Sequence, residues 1–142
     1  MPRPLTFSAL PLFAMAAACA PVDEGERSDD PAAYDPPVRV VGEAQNCIPL
    51  AQIRQTPVRS DDVIDFEMRG GRVYRNVLPN SCPQLGLWEA FTYDTEISQL
   101  CSAEIIYVLQ QIGGGVQRGA GCGLGRFVPV EYVEEDEEGE DE

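Results

Sequence analysis

The chain contains no histidine, and all ten of its basic residues are arginine, so lysine is absent as well. Without an imidazole there can be no Ser/His/Asp triad, no Cys/His dyad and no Cys/His metal site. Positive charge is also scarce: 24 acids face 10 arginines, for a formal net charge of −14. That leaves no basic footprint for nucleic acid. Long apolar runs are missing beyond Ala20, and a membrane-spanning helix needs about 20 apolar residues. No Cys-x-x-Cys pair occurs, which excludes a thioredoxin-like redox motif and zinc knuckles.

What is present begins with an address. Residues 1–18 read as a secretory signal: Arg3, then an apolar run through Leu5, Phe7, Leu10 and Phe13, then Ala16-Ala17-Ala18. Cys19 follows directly. Two cleavage products compete. In one, Cys19 becomes the lipidated N-terminal residue of a lipoprotein, with Ala16 standing where a bacterial lipobox usually has Leu. In the other, the chain is plainly secreted with an odd free thiol. Parity favours the first, because four cysteines then remain. Ala20 after Cys19 points the anchored protein to the periplasmic face of the outer membrane.

The acidity belongs to the ends. Ala20 to Pro37 carries six acids and one arginine, and Glu131 to Glu142 carries nine acids and no base. Val38 to Val130 is nearly balanced, with nine acids and eight arginines. Residues 19–37, with Pro21, Pro31, Pro36 and Pro37, read as a disordered tether reaching on the order of 50 Å from the membrane. Residues 134–142 read as a solvated acidic tail. The tail lacks the glycine and ligand spacing of a Ca²⁺ loop. The domain is therefore expected over residues 38–133, small enough to need staples.

Those staples are Cys47, Cys82, Cys101 and Cys122. Two disulfides would each add about 2–4 kcal/mol. Four cysteines allow three pairings. The preferred one joins Cys82 to Cys101, bracketing a strand at Trp88, and Cys47 to Cys122, tying the domain's ends.

Sequence patterning predicts an all-β fold with at most a little helix: a small antiparallel sandwich or partial barrel. Val63 to Leu78 reads as a hairpin around Gly70-Gly71. A two-residue loop would place Ile64, Phe66 and Met68 with Val73, Arg75 and Val77. A three-residue loop would pair Phe66 with Tyr74 and Asp65 with Arg75. Further strands are expected at Trp88 to Asp94, Glu104 to Leu109 and Gly125 to Val133, where Pro129 suggests an edge or a bulge. Cys47 to Arg54 is a strand or a short turn of helix. Pro79 to Pro83 and Gly113 to Gly115 are loops.

Candidate chemistry is thin. Asp61, Asp62, Asp65, Glu67 and Glu104 are the carboxylates available for acid–base work. Alternation sends Asp65 and Glu67 to a polar face near Arg69 and Arg72, where solvated cross-strand pairs are the simpler account. The run Gly119 to Gly125 fails the G-x-G-x-x-G spacing and reads as a loop entering a strand. Trp88, Phe91, Tyr93 and Tyr107 are expected in the core rather than on a ligand platform.

The core resembles a family of short proteobacterial, sphingomonad-type secreted proteins and lipoproteins that carry a domain of unknown function. The similar stretches are Cys47-Ile-Pro-Leu with Ile53-Arg54, Gly70-Gly71-Arg-Val-Tyr74-Arg-Asn76-Val-Leu78-Pro79, and Cys82-Pro-Gln-Leu85-Gly86. They continue with Leu100-Cys101-Ser102, Ile105-Ile106 and Cys122-Gly-Leu124-Gly125-Arg-Phe127-Val-Pro129-Val. Ala103-Glu104 stands where that family often has a small residue and Asp. The resemblance implies an envelope protein with four core cysteines and no established activity.

The functional expectation is a non-enzymatic, lipid-anchored envelope module without cofactor or metal. Its partners would be the membrane, through Cys19, and an envelope protein or polymer. The alternatives are an inhibitor of a hydrolase such as lysozyme, inserting the segment Gly113 to Gly121, and a carboxylate-based hydrolase.

Overall fold

The computed structural model describes residues 27–134. The signal, the lipidation site Cys19 and residues 135–142 lie outside them. Ten strands form: β1 (Val38–Val40), β2 (Cys47–Pro49), β3 (Ile53–Gln55), β4 (Val63–Met68), β5 (Val73–Val77), β6 (Phe91–Tyr93), β7 (Gln99–Cys101), β8 (Ile105–Ile112), β9 (Gly115–Gly123) and β10 (Phe127–Tyr132). The helix α1 spans Leu85–Trp88. The strands make a five-stranded sheet in the order β1-β10-β5-β4-β3, a three-stranded sheet β6-β8-β9 and a pair β2-β7. Every pairing is antiparallel, and the sheets do not close into a barrel.

The β4–β5 hairpin settles the choice between registers. Met68 N–H donates to Arg72 O across Arg69-Gly70-Gly71, with both glycines at φ 92°. This three-residue turn pairs Phe66 with Tyr74 and Asp65 with Arg75. Ile64, Phe66, Met68 and Tyr74 therefore share one face with Phe127. Phe66 packs edge-on against Phe127 and Phe91, with ring centroids 5.3 and 6.3 Å apart. Against this face lie Ile106 and Val108 of β8 and Ile48 and Leu100 of the small pair, completing the core.

The opposite face of the large sheet is covered too, and here the structure departs from the sequence reading. Residues 27–37, expected to belong to a disordered tether, lie on the domain. The Pro31–Ala33 3₁₀ turn packs on β1 and β5. Arg75 donates from Nη1 to the carbonyls of Pro31 and Tyr34, each at 2.9 Å. Arg27 donates to Leu78 O and Pro79 O and pairs with Asp62 at 3.0 Å. Composition hid this docking, because the segment contributes backbone carbonyls and one arginine rather than apolar bulk.

Both disulfides form, with a different connectivity from the preferred one. They are Cys47–Cys101 and Cys82–Cys122. Strand pairing decides the first: Cys47 and Cys101 are direct cross-strand neighbours, 4.0 Å apart at Cα. The second ties the loop after β5 to β9, joining the large sheet to the three-stranded one. The loops close 54 and 40 residues of chain, worth about 4 kcal/mol each in the chain-entropy limit. Disulfides of this kind belong to an oxidising, extracytoplasmic compartment. Among the described residues, no helix is long and apolar enough to cross a membrane.

Three local expectations also change. The strand placed at Trp88 to Asp94 begins only at Phe91. Before it, α1 is bounded by Gln84 and Glu89 at positive φ and held by Gly86 N–H donating to Asp61 Oδ1 at 2.7 Å. The segment Cys47 to Arg54 contains both strand and a 3₁₀ turn at Leu50–Gln52. Pro129 sits inside the sheet, not on an edge strand. Its carbonyl accepts from Val41 N–H at 2.9 Å, so its imide nitrogen faces β1 just where β1 ends and no donor is required.

Candidate functional site

The five candidate carboxylates do not converge on one catalytic centre. Asp61 accepts from Gly86 N–H. Asp62 faces Arg27. Glu104 accepts from Cys101 N–H. Each is spent on local backbone or an ion pair.

Asp65 and Glu67 meet in a network on the face covered by residues 27–37. Asp65 is fully buried rather than solvated, which corrects the sequence expectation for it. Arg75, also fully buried, grips it bidentately: Nε to Oδ1 at 2.8 Å and Nη2 to Oδ2 at 3.0 Å. Arg59 Nε adds a third bond at 2.9 Å. Arg69 and Arg72, the expected partners, take no part in it. Tyr132 joins the two carboxylates, its hydroxyl 3.2 Å from Asp65 and 3.1 Å from Glu67. Burial pushes the Tyr132 phenol up to about 12, outweighing the Arg59 guanidinium that favours the phenolate. The phenol therefore stays protonated and donates.

Partial burial works to raise the Glu67 pKa, but donors from Gln55, Arg54 and Tyr132 overcome it and hold the carboxyl below its ordinary range. Catalytic acids and bases are tuned toward the working pH. Glu67 is tuned away from it. Asp65 has no open side for a substrate. The network is a structural clamp between β4, β5, β10 and the N-terminal segment.

The glycine run at Gly119 to Gly125 is not a loop. Through Gly123 it belongs to β9, a nine-residue edge strand paired to β8. Glycine weakens a strand, and the neighbouring side chains compensate. Tyr107 stands opposite Gly121 and its ring covers that position. Arg118 lies over the same ring, 5.1 Å from its centroid, and reaches Asp94 at 2.7 and 3.1 Å. Contact with Arg118 holds Asp94 below the usual carboxylate range. Periodicity missed β9 because five of its nine residues are Gly or Ala. The signal that could have found it is the Gly113-Gly114 turn directly after a β-branched run.

Past Gln110, which donates to Gln84 Oε1, the Arg118–Asp94 pair is the hairpin's only side-chain polar contact among the described residues. Every residue from Gln111 to Arg118 is exposed, and none from Ile105 to Gln117 is charged. Ile112 is 49% exposed and Val116 63%. The register pairs Gln111 with Val116 and Ile112 with Gly115, so Ile112 and Val116 project from opposite faces.

Trp88, Phe91 and Tyr93 pack against the core, while Tyr107 serves the hairpin. Comparison with known proteins returns no matching family model, no matching curated protein and no matching solved structure.

Proposed function

We propose that this protein is a non-enzymatic interaction module of the cell envelope, anchored through a lipidated Cys19 and binding its partner with the β8–β9 hairpin. One observation carries this reading: a two-stranded finger whose tip, Gln111 to Gln117, is exposed and uncharged, with an apolar side chain on each face. A flat partner would cover only one of those faces. A cleft in an envelope protein or polymer covers both. The fate of the carboxylates supports the non-enzymatic half, since all five are held by structural partners.

The anchor belongs to the same proposal, as does membership of the envelope family that the Cys47–Val130 motifs resemble. With Arg27 docked, the span from Cys19 to the domain is limited to residues 20–26, with a reach under about 30 Å. The domain would then sit closer to its membrane than a free tether to residue 37 allows, at the periplasmic face of the outer membrane.

A photo-cross-linking residue at Val116 tests the reading in cells, with one at Arg39, 70% exposed at its side chain, as control. A discrete adduct at Val116 and none at Arg39 is expected. The same adduct at both, or none at Val116, refutes the finger. A second reading makes the cleft that of an attacking hydrolase, with the finger as inhibitor. Stoichiometric inhibition of a lysozyme or other peptidoglycan hydrolase, abolished by substitution at Val116, supports it. Failure against every such enzyme rejects it.

A further inference from the structure

Nine arginines lie among the described residues, and six of them form ion pairs with carboxylates. Arg69, Arg72 and Arg126 do not. Three of the nine are thus left without a carboxylate partner among the described residues. Two of them share one cavity. A concavity of about 370 Å³ between the β4–β5 turn and the segment around β2 is lined by Arg69, Arg72, Gln45, Gln52 and Tyr74, and no carboxylate of the described residues lines it. Arg126, the third, donates to Ala44 O at 2.9 Å, beside Gln45.

The framework of this cavity is fixed by backbone. Arg69 N–H donates to Gln52 O at 2.7 Å, joining its two walls. Tyr74 is 4% exposed, and its hydroxyl accepts from Arg72 Nη1 at 3.3 Å. The hydroxyl hydrogen has no acceptor among the described residues. Through Gln45, Gly70, Arg72 and Tyr74 the cavity continues into a larger one of about 790 Å³. That space holds two carboxylates, Glu131, already paired with Arg39, and Glu43.

We infer that the Arg69–Arg72 cavity is a binding site for a phosphate group. Two guanidinium forks, two amides and a phenol hydroxyl offer donors on several sides. A carboxylate, with two oxygens, would leave many of them idle. Phosphate presents three or four acceptor oxygens, and guanidinium forks match their spacing. The overall negative charge of the chain does not prevent this, because it is screened beyond about 8 Å at physiological ionic strength. The phosphate can come from free inorganic phosphate or from the headgroup of an anionic lipid, and the site lies on a domain proposed to be held near a membrane.

Calorimetric titration of the full-length protein tests the inference with three probes: inorganic phosphate, glycerophosphoglycerol as a soluble lipid headgroup, and acetate. Saturable binding of either phosphate compound, with acetate at least about tenfold weaker, is expected. The tighter of the two phosphates identifies the source. Arg69→Gln with Arg72→Gln should weaken binding at least about tenfold without moving the thermal midpoint. Arg54→Gln with Arg118→Gln, which removes two charges elsewhere, should leave it within about twofold. Equal losses in the two double variants would overturn the inference, as would equal affinity for acetate. So would an absence of binding up to about 10 mM of both phosphate compounds.

Discussion

Replacing Arg75 with Met removes four hydrogen bonds from one fully buried side chain: two to Asp65 and one each to the carbonyls of Pro31 and Tyr34. Breaking a buried pair from one side typically costs about 3–5 kcal/mol, because a buried charge loses its compensation. Asp65 keeps Arg59 and Tyr132, which limits the loss. The two carbonyls regain water once the N-terminal segment lifts, which limits it further. The expected cost is therefore about 3 kcal/mol, a large share of a total of roughly 5–15 kcal/mol. With a urea slope of about 1–3 kcal/mol/M, the unfolding midpoint should fall by roughly 1–3 M. Amide exchange should rise first at the Ala33 N–H held by Asp30 O. Replacing Asp65 with Leu in the Arg75→Met background should recover part of the loss, since an apolar pair leaves no stranded charge. A midpoint shift worth less than about 1 kcal/mol, or strictly additive effects of the two substitutions, would refute the clamp.

Other perturbations read other parts of the fold. Gly125→Ala puts a Cβ 2.2 Å from Val77 O, at a backbone segment that Asn76 holds with two bonds of 2.8 Å. A cost of about 1–3 kcal/mol is expected, visible as a thermal midpoint lowered by at least about 5 °C. Cys82→Ser with Cys122→Ser should cost about 2–5 kcal/mol in denaturant, and an unreduced peptide map of the parent should yield only Cys47–Cys101 and Cys82–Cys122 pairs. Glu67 has a folded-state pKa below its unfolded value of about 4.5. Its contribution is thus present above that value and is lost as pH falls toward the folded pKa. Glu67→Gln should lower stability at pH 7 while flattening the acid limb below about pH 4.5, as followed by urea midpoints across that range.

The β class, the hairpin around Gly70-Gly71 and the two staples were legible because each rests on local pattern: alternation, a glycine pair, an even cysteine count. Connectivity was not legible, because it depends on which strands become neighbours. Cys47 meets Cys101 only once β2 has paired with β7. The burial of Asp65 is illegible in the sequence for a related reason. Its burial needs the three-residue turn, which puts Arg75 opposite it, and also the docking of residues 27–37, which closes that face. Neither is written in the residues beside it. The hairpin β8–β9 was half visible, since Glu104 to Leu109 looked like a strand while its glycine-rich partner did not. The Arg69–Arg72 cavity left no sequence signal, because what distinguishes those arginines is that neither forms an ion pair in space among the described residues.

The claim that the β8–β9 finger is the binding element is tested most directly by charging its tip. Ile112→Asp with Val116→Asp changes two exposed side chains outside the core, so the thermal midpoint should stay within a degree or two. Each apolar side chain, if buried by the partner, is worth roughly 1.5–3 kcal/mol. Quantitative recovery of the partner that cross-links at Val116 should therefore fall at least about tenfold with the variant. Undiminished recovery with a folded Ile112→Asp, Val116→Asp protein would contradict the account.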